Sequence, residues 1–312
     1  MSLNFMQALP IRLKRLRHGV YTSKELFFWF IDAMNSKIFH KSSNLYVREH
    51  VRRILKPDSE CYHIKDVKLP LLDAQNERIL AAEIFNDTFE SYLNFNDTYD
   101  EKVFDECEKY LAEGLYGLVN DKVNVTVEPG DIVIDAGSWV GDFAAYSSVK
   151  VKLGGGIVYA FEPSKENFKY LEQTAQLNGN IIPVQKGISD KTTIAAFSLD
   201  TSGNTAASSF KFKESQDKAE KIFETVETIS IDDFVRENNL PRVDFIKSDI
   251  EGFERNLLKG AQETLKNFAP KLALCTYHLP DDPEVMASLI KEANPKYNIV
   301  QKRMKLFASV PK

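Results

Sequence analysis

The chain has 312 residues, 43% of them hydrophobic, and a formal net charge of −5. That length and apolar content suit one large α/β core with a smaller attachment, and they exclude a low-complexity or disordered chain. The mildly acidic balance argues against a general nucleic-acid binder, so no nucleic-acid partner is expected.

Residues 1 to about 60 read as helical, with a basic stretch that includes Arg12, Lys14, Arg15, Arg17, Arg48, Arg52, Arg53 and Lys56. Within it Leu26, Phe27, Phe28, Trp29, Phe30 and Ile31 form a dense apolar run. Thr22 followed by Glu25 has the spacing of a capping box and places that run on a short helix. Its aromatics fit packing on the main domain or in a homodimer, or a peripheral membrane or protein contact. Alternating runs at Ile64 to Leu72 and Ile79 to Phe85 suit a strand pair, and residues 99 to 119 suit a helix leading into the core. Residues 1–95 are therefore expected to form a helical and β extension, and 96–312 the main domain.

From Asp131 the pattern changes to short apolar strands alternating with helical segments. Strands are expected at Asp131 to Ile134, Ile157 to Phe161, Ile181 to Val184, Val243 to Ser248 and Leu272 to Tyr277. Amphipathic segments, among them Lys165 to Leu177 and Gly252 to Phe268, are long enough for right-handed crossovers. The fold class is therefore α/β: a doubly wound, Rossmann-like, mostly parallel sheet. Residues 192 to 231 interrupt it with Thr, Ser and Lys-rich sequence that suits a hairpin and a loop over the site. Tyr297 to Gln301 and Lys305 to Val310 would add an antiparallel edge. Cys61, Cys107 and Cys275 stand far apart with no C-x-x-C pair, which fits neither a disulfide framework nor a structural zinc site and points to a reducing cytoplasm. No apolar run approaches the roughly 18 residues of a membrane span, and the start lacks a signal-peptide pattern.

The residues from Val133 to Asp142 place a strand end, a glycine turn and a helix start in succession, after a turn at Pro129-Gly130. In an open α/β sheet, ligands bind outside the carboxyl ends of the strands at the switch point, where this turn would lie. Gly137 and Gly141 have the spacing G-x-x-x-G, not the G-x-G-x-x-G that seats a pyrophosphate. Asp135 would repel a pyrophosphate and welcome an amino group or sulfonium. Glu162, followed by Pro163, closes the next strand 27 residues later, an interval of one βα unit. A carboxylate there can accept hydrogen bonds from both ribose hydroxyls. After the third strand, the stretch from Lys186 to Asp190, with Gly187 in it, lies where an adenine ring would sit; Ser189 or Asp190 could meet its exocyclic amine, though both are ordinary turn residues.

Four strings, Asp135–Asp142 (DAGSWVGD), Ala160–Pro163 (AFEP), Ser230–Phe234 (SIDDF) and Asp244–Glu254 (DFIKSDIEGFE), occur in the order found in FkbM-type methyltransferases. The chain resembles that family from about Tyr116 to Tyr297, departing from it at Ser248-Asp249 and Gly187. The resemblance implies a class I methyltransferase fold of seven strands, S-adenosyl-L-methionine as cofactor, and O-methylation of a hydroxyl on a sugar, glycan precursor or secondary metabolite. The cofactor would then meet Asp135, Gly137, Ser138, Gly141, Glu162, Pro163, Gly187, Ser189 and Asp249.

Methyl transfer to an alcohol is an in-line displacement that needs alignment and a proton acceptor. Asp249, after the fourth strand, is placed to hold the methionine amino group, orient the acceptor or act as base. His278, after the fifth, carries an imidazole suited to proton removal near neutral pH. Glu254 follows Glu251 by one helical turn and is read as a cap or as a partner of Lys247. Tyr116 is either a lid contact or a packed aromatic. Asp249, Glu251, Glu254 and His278 offer ligands that Mg²⁺ or Zn²⁺ accept, but nothing in the sequence fixes their geometry and no metal is assigned. Two other readings remain: a nicotinamide-dependent oxidoreductase or epimerase, disfavoured by the glycine spacing, and a non-catalytic S-adenosylmethionine-binding partner protein.

Overall fold

The computed structural model describes residues 58–64, 66–73, 116–199, 209–210, 222–302 and 304–311, with Leu13, Arg17, Ser23, Lys24, Leu26, Phe27, Asn76, Glu77 and Leu80. The chain divides into two compact units, residues 1–65 with 71–115, and residues 66–70 with 116–312. In the first, the described residues between Leu13 and Phe27 are helical and β1 spans Cys61–Ile64. The expected capping box at Thr22 and Glu25 lies outside the described residues. So does most of the expected strand Ile79 to Phe85, but Leu80 within it is helical.

The second unit begins with β2 (Val67–Pro70), β3 (Leu118–Val119) and β4 (Asn124–Val125). The helix expected to run to residue 119 does not reach it: β3 pairs antiparallel with β4, closing a short hairpin. The alternating core follows as β5 (Ile132–Ala136), α1 (Asp142–Lys152), β6 (Ile157–Phe161), α2 (Lys165–Asn178) and β7 (Ile181–Val184). After an inserted small sheet come α3 (Ile231–Glu237), β12 (Phe245–Ser248), α4 (Glu254–Lys259), α5 (Gln262–Asn267), β13 (Lys271–Cys275), α6 (Asp282–Ala293), β14 (Asn298–Lys302) and β15 (Lys305–Ser309).

Seven strands form the main sheet in the order β7-β6-β5-β12-β13-β15-β14. Neighbours from β7 to β13 pair in parallel, and β15 runs antiparallel to both β13 and β14. The order reverses direction at β5, creating the switch point of a doubly wound sheet. β5, β6, β12 and β13 are buried along nearly their whole length, as expected of strands covered by helices on both faces. Ile134, Phe161, Ile246, Leu257, Leu272 and Met286 belong to one continuous core cluster. This is the doubly wound, mostly parallel seven-stranded sheet expected from the sequence.

The inserted sheet contains β8 (Gly187–Ile188), β9 (Thr193–Leu199), β10 (Ser209–Phe210) and β11 (Ile222–Ile229) in the order β10-β9-β11-β8. The expected hairpin is present, with β9 antiparallel to β11 from Thr193 opposite Thr228 to Leu199 opposite Ile222. The loop expected over the site lies largely outside the described residues. Two boundaries move in ways that matter. The first strand extends to Ala136, so Asp135 belongs to the ladder and not to the turn. The single helix expected from Gly252 to Phe268 is broken at Gly260 and Ala261. Asp232 causes the break by accepting hydrogen bonds from the N–H groups of Glu263 (3.0 Å) and Thr264 (2.8 Å), which caps α5 as a separate helix. No helix among the described residues is long and apolar enough to cross a membrane.

Candidate active site

The glycine turn between β5 and α1 is held by the end of β6. The N–H groups of Gly137 and Ser138 both donate to the Phe161 carbonyl, at 3.1 and 2.9 Å. The N–H of Trp139 donates to Glu162 Oε2 at 3.0 Å, and the N–H of Ser164 donates to Oε1 at 2.9 Å. Glu162 therefore clamps the turn with both oxygens, and its Oε1 also accepts from the Asn167 amide at 3.5 Å. Burial raises its carboxyl pKa to about 7 against the pull of these N–H groups. Trp139 adopts a left-handed conformation (φ 47°), a cost for a non-glycine residue that the surrounding hydrogen bonds sustain.

Gly137 also has a positive φ (76°), and its need for glycine is local: a Cβ there would overlap the carbonyl oxygen of Asp249. The Asp249 N–H donates to the Ala136 carbonyl at 3.1 Å, so the turns after β5 and β12 lie in direct contact. The close approach inferred for a ligand is thus made first by the chain itself.

Under that contact lies a buried ion pair. Asp135 is 0% and Lys247 4% exposed; they face each other across the β5–β12 ladder, with Lys247 Nζ 3.0 Å from Asp135 Oδ1. The same ammonium donates to the Gly137 carbonyl at 2.6 Å. Burial alone would lower the Lys247 pKa, yet Asp135, Asp249 and Asp142 together raise it. The cation that meets Asp135 in the folded chain is accordingly Lys247. Burial raises the Asp142 pKa, at the start of α1, to about 6.

Asp249 stands at the opening of the turn after β12. Tyr277 Oη donates to its Oδ1 at 2.8 Å, and Tyr116 Oη donates to its Oδ2 at 3.0 Å. Burial favours protonation of Asp249, but Lys247 and the two phenols prevail and hold its pKa below the usual carboxylate range. His278 follows β13, with Nε2 3.2 Å from Glu251 and Nδ1 3.3 Å from Glu254. Burial opposes the charge on the ring, but the two glutamates outweigh it and raise the pKa to about 10. The ring is therefore cationic near neutral pH, with both nitrogens facing carboxylates, which is unlike a resting general base. Glu254 has a second task, accepting from the N–H groups of Ile250 (2.8 Å) and Gly252 (3.1 Å) and so shaping the turn in which Glu251 takes φ 54°. Its partner is His278, not Lys247.

The structure thus gathers Asp135, Gly137, Ser138, Gly141, Glu162 and Asp249 around the adjoining ends of β5, β6 and β12. Ser138 Oγ is turned inward, donating to the Asp135 carbonyl at 2.9 Å, and Gly141 makes room for Leu171 and Thr174 of α2. Pro163 is partly buried beside Glu162. Gly187 and Ser189, just after β7, lie at the β8–β11 junction, where Gly187 pairs with Thr228 and the Ser189 N–H donates to the Ile229 carbonyl at 3.1 Å. Tyr116 is a packed aromatic, edge-on to Phe143 at 5.2 Å, and it also reaches the site acid. Two participants escaped sequence reasoning. Lys247 carried a signal, since an ammonium inside the buried strand Phe245–Ser248 requires a buried acid opposite it. Tyr277 carried none, because a tyrosine at a strand end has too many ordinary uses. Asp249, Glu254 and His278 each offer a donor atom, all within 4.8 Å of one another, but all three side chains are already engaged.

The Methyltransferase FkbM domain matches residues 135–297. Over 167 residues the chain is 29% identical to the hexuronic acid methyltransferase AglP of Haloferax volcanii, a match covering 53% of this chain and 64% of that relative. Among solved structures, the chain is similar to the methyltransferase FkbM of Methylobacillus flagellatus, with 19% identity, a TM-score of 0.47, and coverage of 85% of this chain and 58% of that one. It is also similar to Aeropyrum pernix fibrillarin in complex with S-adenosyl-L-methionine, at 15% identity and a TM-score of 0.37, covering 65% of this chain and 74% of that one.

Lys247→Met leaves Asp135 buried without its cation and is expected to destabilise the fold by about 3–5 kcal/mol in denaturant unfolding. Adding Asp135→Leu should recover at least half of that loss; a double variant no more stable than Lys247→Met would refute the pairing. Glu162 generates a pH dependence. Because its folded pKa (about 7) exceeds its ordinary 4.5, the stability it contributes is complete below pH 4.5 and is lost as pH rises through about 7. The loss is on the order of 3 kcal/mol. Glu162→Gln should flatten the decline between pH 5 and 8, leaving the smaller decline from Asp142; an unchanged slope would assign the decline elsewhere.

Proposed function

We propose, from the premise that the chain belongs to the FkbM methyltransferase family, that it is an S-adenosyl-L-methionine-dependent O-methyltransferase acting on a saccharide hydroxyl. The observation that carries this reading is the convergence, at the switch point of the sheet, of a clamped glycine turn, the Glu162 carboxylate and an ionised Asp249 held by two tyrosines. The transfer chemistry belongs to the unit that contains residues 116–312.

The residues fit the cofactor. Glu162 is fixed by Trp139, Ser164 and Asn167 at the end of β6, and a carboxylate held there can accept from ribose hydroxyls. Above the Asp135–Lys247 pair, the cofactor would meet the backbone between Gly137 and Gly141 and the Asp249 carboxylate. S-adenosyl-L-methionine supplies an electrophilic methyl group on a sulfonium. The protein's part is to align the acceptor oxygen and to receive its proton.

Asp249 is the group we assign to that proton. It is partly buried, and Tyr116 and Tyr277 each occupy only one direction on its two oxygens. Its low pKa makes it a weak base, which suffices where a sulfonium draws the electrons. His278 acts as a cationic anchor: it fixes Glu251 and Glu254 and thereby the turn that presents Asp249. Tyr277 is 46% exposed beside His278, with ring centroids 4.0 Å apart, and offers a flat apolar face to a sugar ring. The hexuronic acid named for the Haloferax relative supports a saccharide acceptor.

S-adenosylhomocysteine should raise the melting temperature of the purified chain and NAD should not; the reverse preference would replace this reading with the oxidoreductase one. Glu162→Ala should abolish that rise. With labelled S-adenosylmethionine and a glycan-precursor pool, the label should appear on an ether oxygen of a saccharide. Loss of transfer with S-adenosylhomocysteine binding weakened but still measurable is expected for Asp249→Asn, whereas full transfer by that variant would remove Asp249 from the chemistry.

A further inference from the structure

Asp58, Cys61 and His63 have no part in the site described above, yet their donor atoms converge. Cys61 and His63 are two residues apart on β1, so their side chains leave the same side of the strand. Asp58 lies in the preceding turn. Its Oδ1 accepts from the N–H groups of Glu60 (2.7 Å) and Cys61 (2.8 Å), which locks the carboxylate and leaves Oδ2 pointing at His63. His63 Nε2 is 2.6 Å from that oxygen and 3.3 Å from Cys61 Sγ.

The convergence is on a single ring nitrogen, and that detail decides between two chemistries. A nucleophilic relay places the thiol at one imidazole nitrogen and the acid at the other, so that the ring can pass charge between them. Here both partners face Nε2, where one proton can satisfy only one of them. An ion in the proton's place would be met by oxygen, sulfur and nitrogen at once. We propose that Asp58, Cys61 and His63 bind a divalent transition-metal ion, with Zn²⁺ the preferred occupant.

The donor set selects the metal. Thiolate with imidazole suits Zn²⁺ and its neighbours and disfavours Mg²⁺ and Ca²⁺, which require oxygen shells. The carboxylate is suited to bind as an anion, because two backbone N–H groups already donate to its Oδ1. On binding, the Cys61 thiol releases its proton to solvent and His63 coordinates as neutral imidazole, its proton on Nδ1. Two anionic ligands then neutralise the ion. The Asp58 oxygen has to move out from its present hydrogen bond to about 3.3 Å from Nε2, the ligand separation of a tetrahedral site. The turn can supply that small movement, since the side chains of His63 and Asp58 are 35% and 50% exposed. The same openness admits water as the fourth ligand. Cys61, at 4% exposure, keeps its sulfur covered.

The test is titration of the full chain, freed of metal by chelation, with Co²⁺ under anaerobic conditions. A thiolate-to-cobalt charge-transfer band should grow to one equivalent, be displaced by Zn²⁺ and resist Mg²⁺. Cys61→Ser should abolish the band, and His63→Gln, at a partly exposed position, should weaken binding at least tenfold with an unchanged circular dichroism spectrum. His278→Gln should leave the band intact, separating this site from the acid and imidazole cluster of the transfer site. Absence of the band, its survival in Cys61→Ser, undiminished binding by His63→Gln, or its loss in His278→Gln would each overturn the assignment.

Discussion

The arrangement of the site depends on the ion pair between Lys247 and Asp135. Two charges in neighbouring central strands are costly to bury, and their attraction does not in general make a fold more stable than an apolar pair would. What the pair supplies is position. Lys247 and Asp135 are opposite each other in the ladder, so a slip of either strand by one residue would leave both charges buried and apart. The ammonium also reaches the Gly137 carbonyl, extending the constraint from strand register to the shape of the glycine turn. Gly137 then accepts the Asp249 carbonyl against its bare α-carbon, and the turn that carries the proposed base is seated on the turn that shapes the cofactor site.

A second consequence is electrostatic. Asp135, Asp142, Glu162, Asp249, Glu251 and Glu254 all lie in or beside the turns at one edge of the sheet, and unopposed they would repel one another strongly in a low-dielectric setting. Lys247 and the His278 imidazolium divide this charge between them. The lysine serves the cofactor side and holds Asp249 ionised, whereas the imidazolium serves Glu251 and Glu254. Glu162 feels Lys247 too weakly to offset its burial, and its pKa is raised. Asp249, the proposed base, is the acid of this group that the hydroxyls of Tyr116 and Tyr277 hold.

Much of this was legible in the sequence because parallel strands buried on both faces are spelled as continuous apolar runs. The five core strands and the terminal antiparallel pair were found on that basis to within a few residues. The glycine turn and Glu162 were legible because both are local consequences of a strand ending at a switch point. The pairing of side chains was not. Lys247 and Glu254 are seven residues apart and were read against each other, yet their partners, Asp135 and His278, come from other strands. Local spacing says nothing about which neighbour a strand will choose. His278 shows the same limit: nothing in its local sequence tells that Glu251 and Glu254 will stand against its two ring nitrogens. The helix broken at Gly260 was missed for a like reason, since its cause is Asp232, about 30 residues earlier in the chain.

Tyr116 adds a last step. It precedes the part of the chain that matches the family domain, which begins at residue 135, yet its hydroxyl is one of the two that hold Asp249. Its ring packs edge-on to Phe143 of α1, and the ammonium groups of Lys247 and Lys305 lie 5.2 and 4.4 Å from its centroid. The hairpin that follows it is tied to the far side of the sheet, where the Asn124 N–H donates to Ser309 Oγ of β15 at 3.2 Å. The lead-in segment is therefore a structural part of the site. Because Asp249 is reached from one side by Tyr116 and from the other by the exposed Tyr277, changes in that segment can re-aim the acid without disturbing the strands or the cofactor turn.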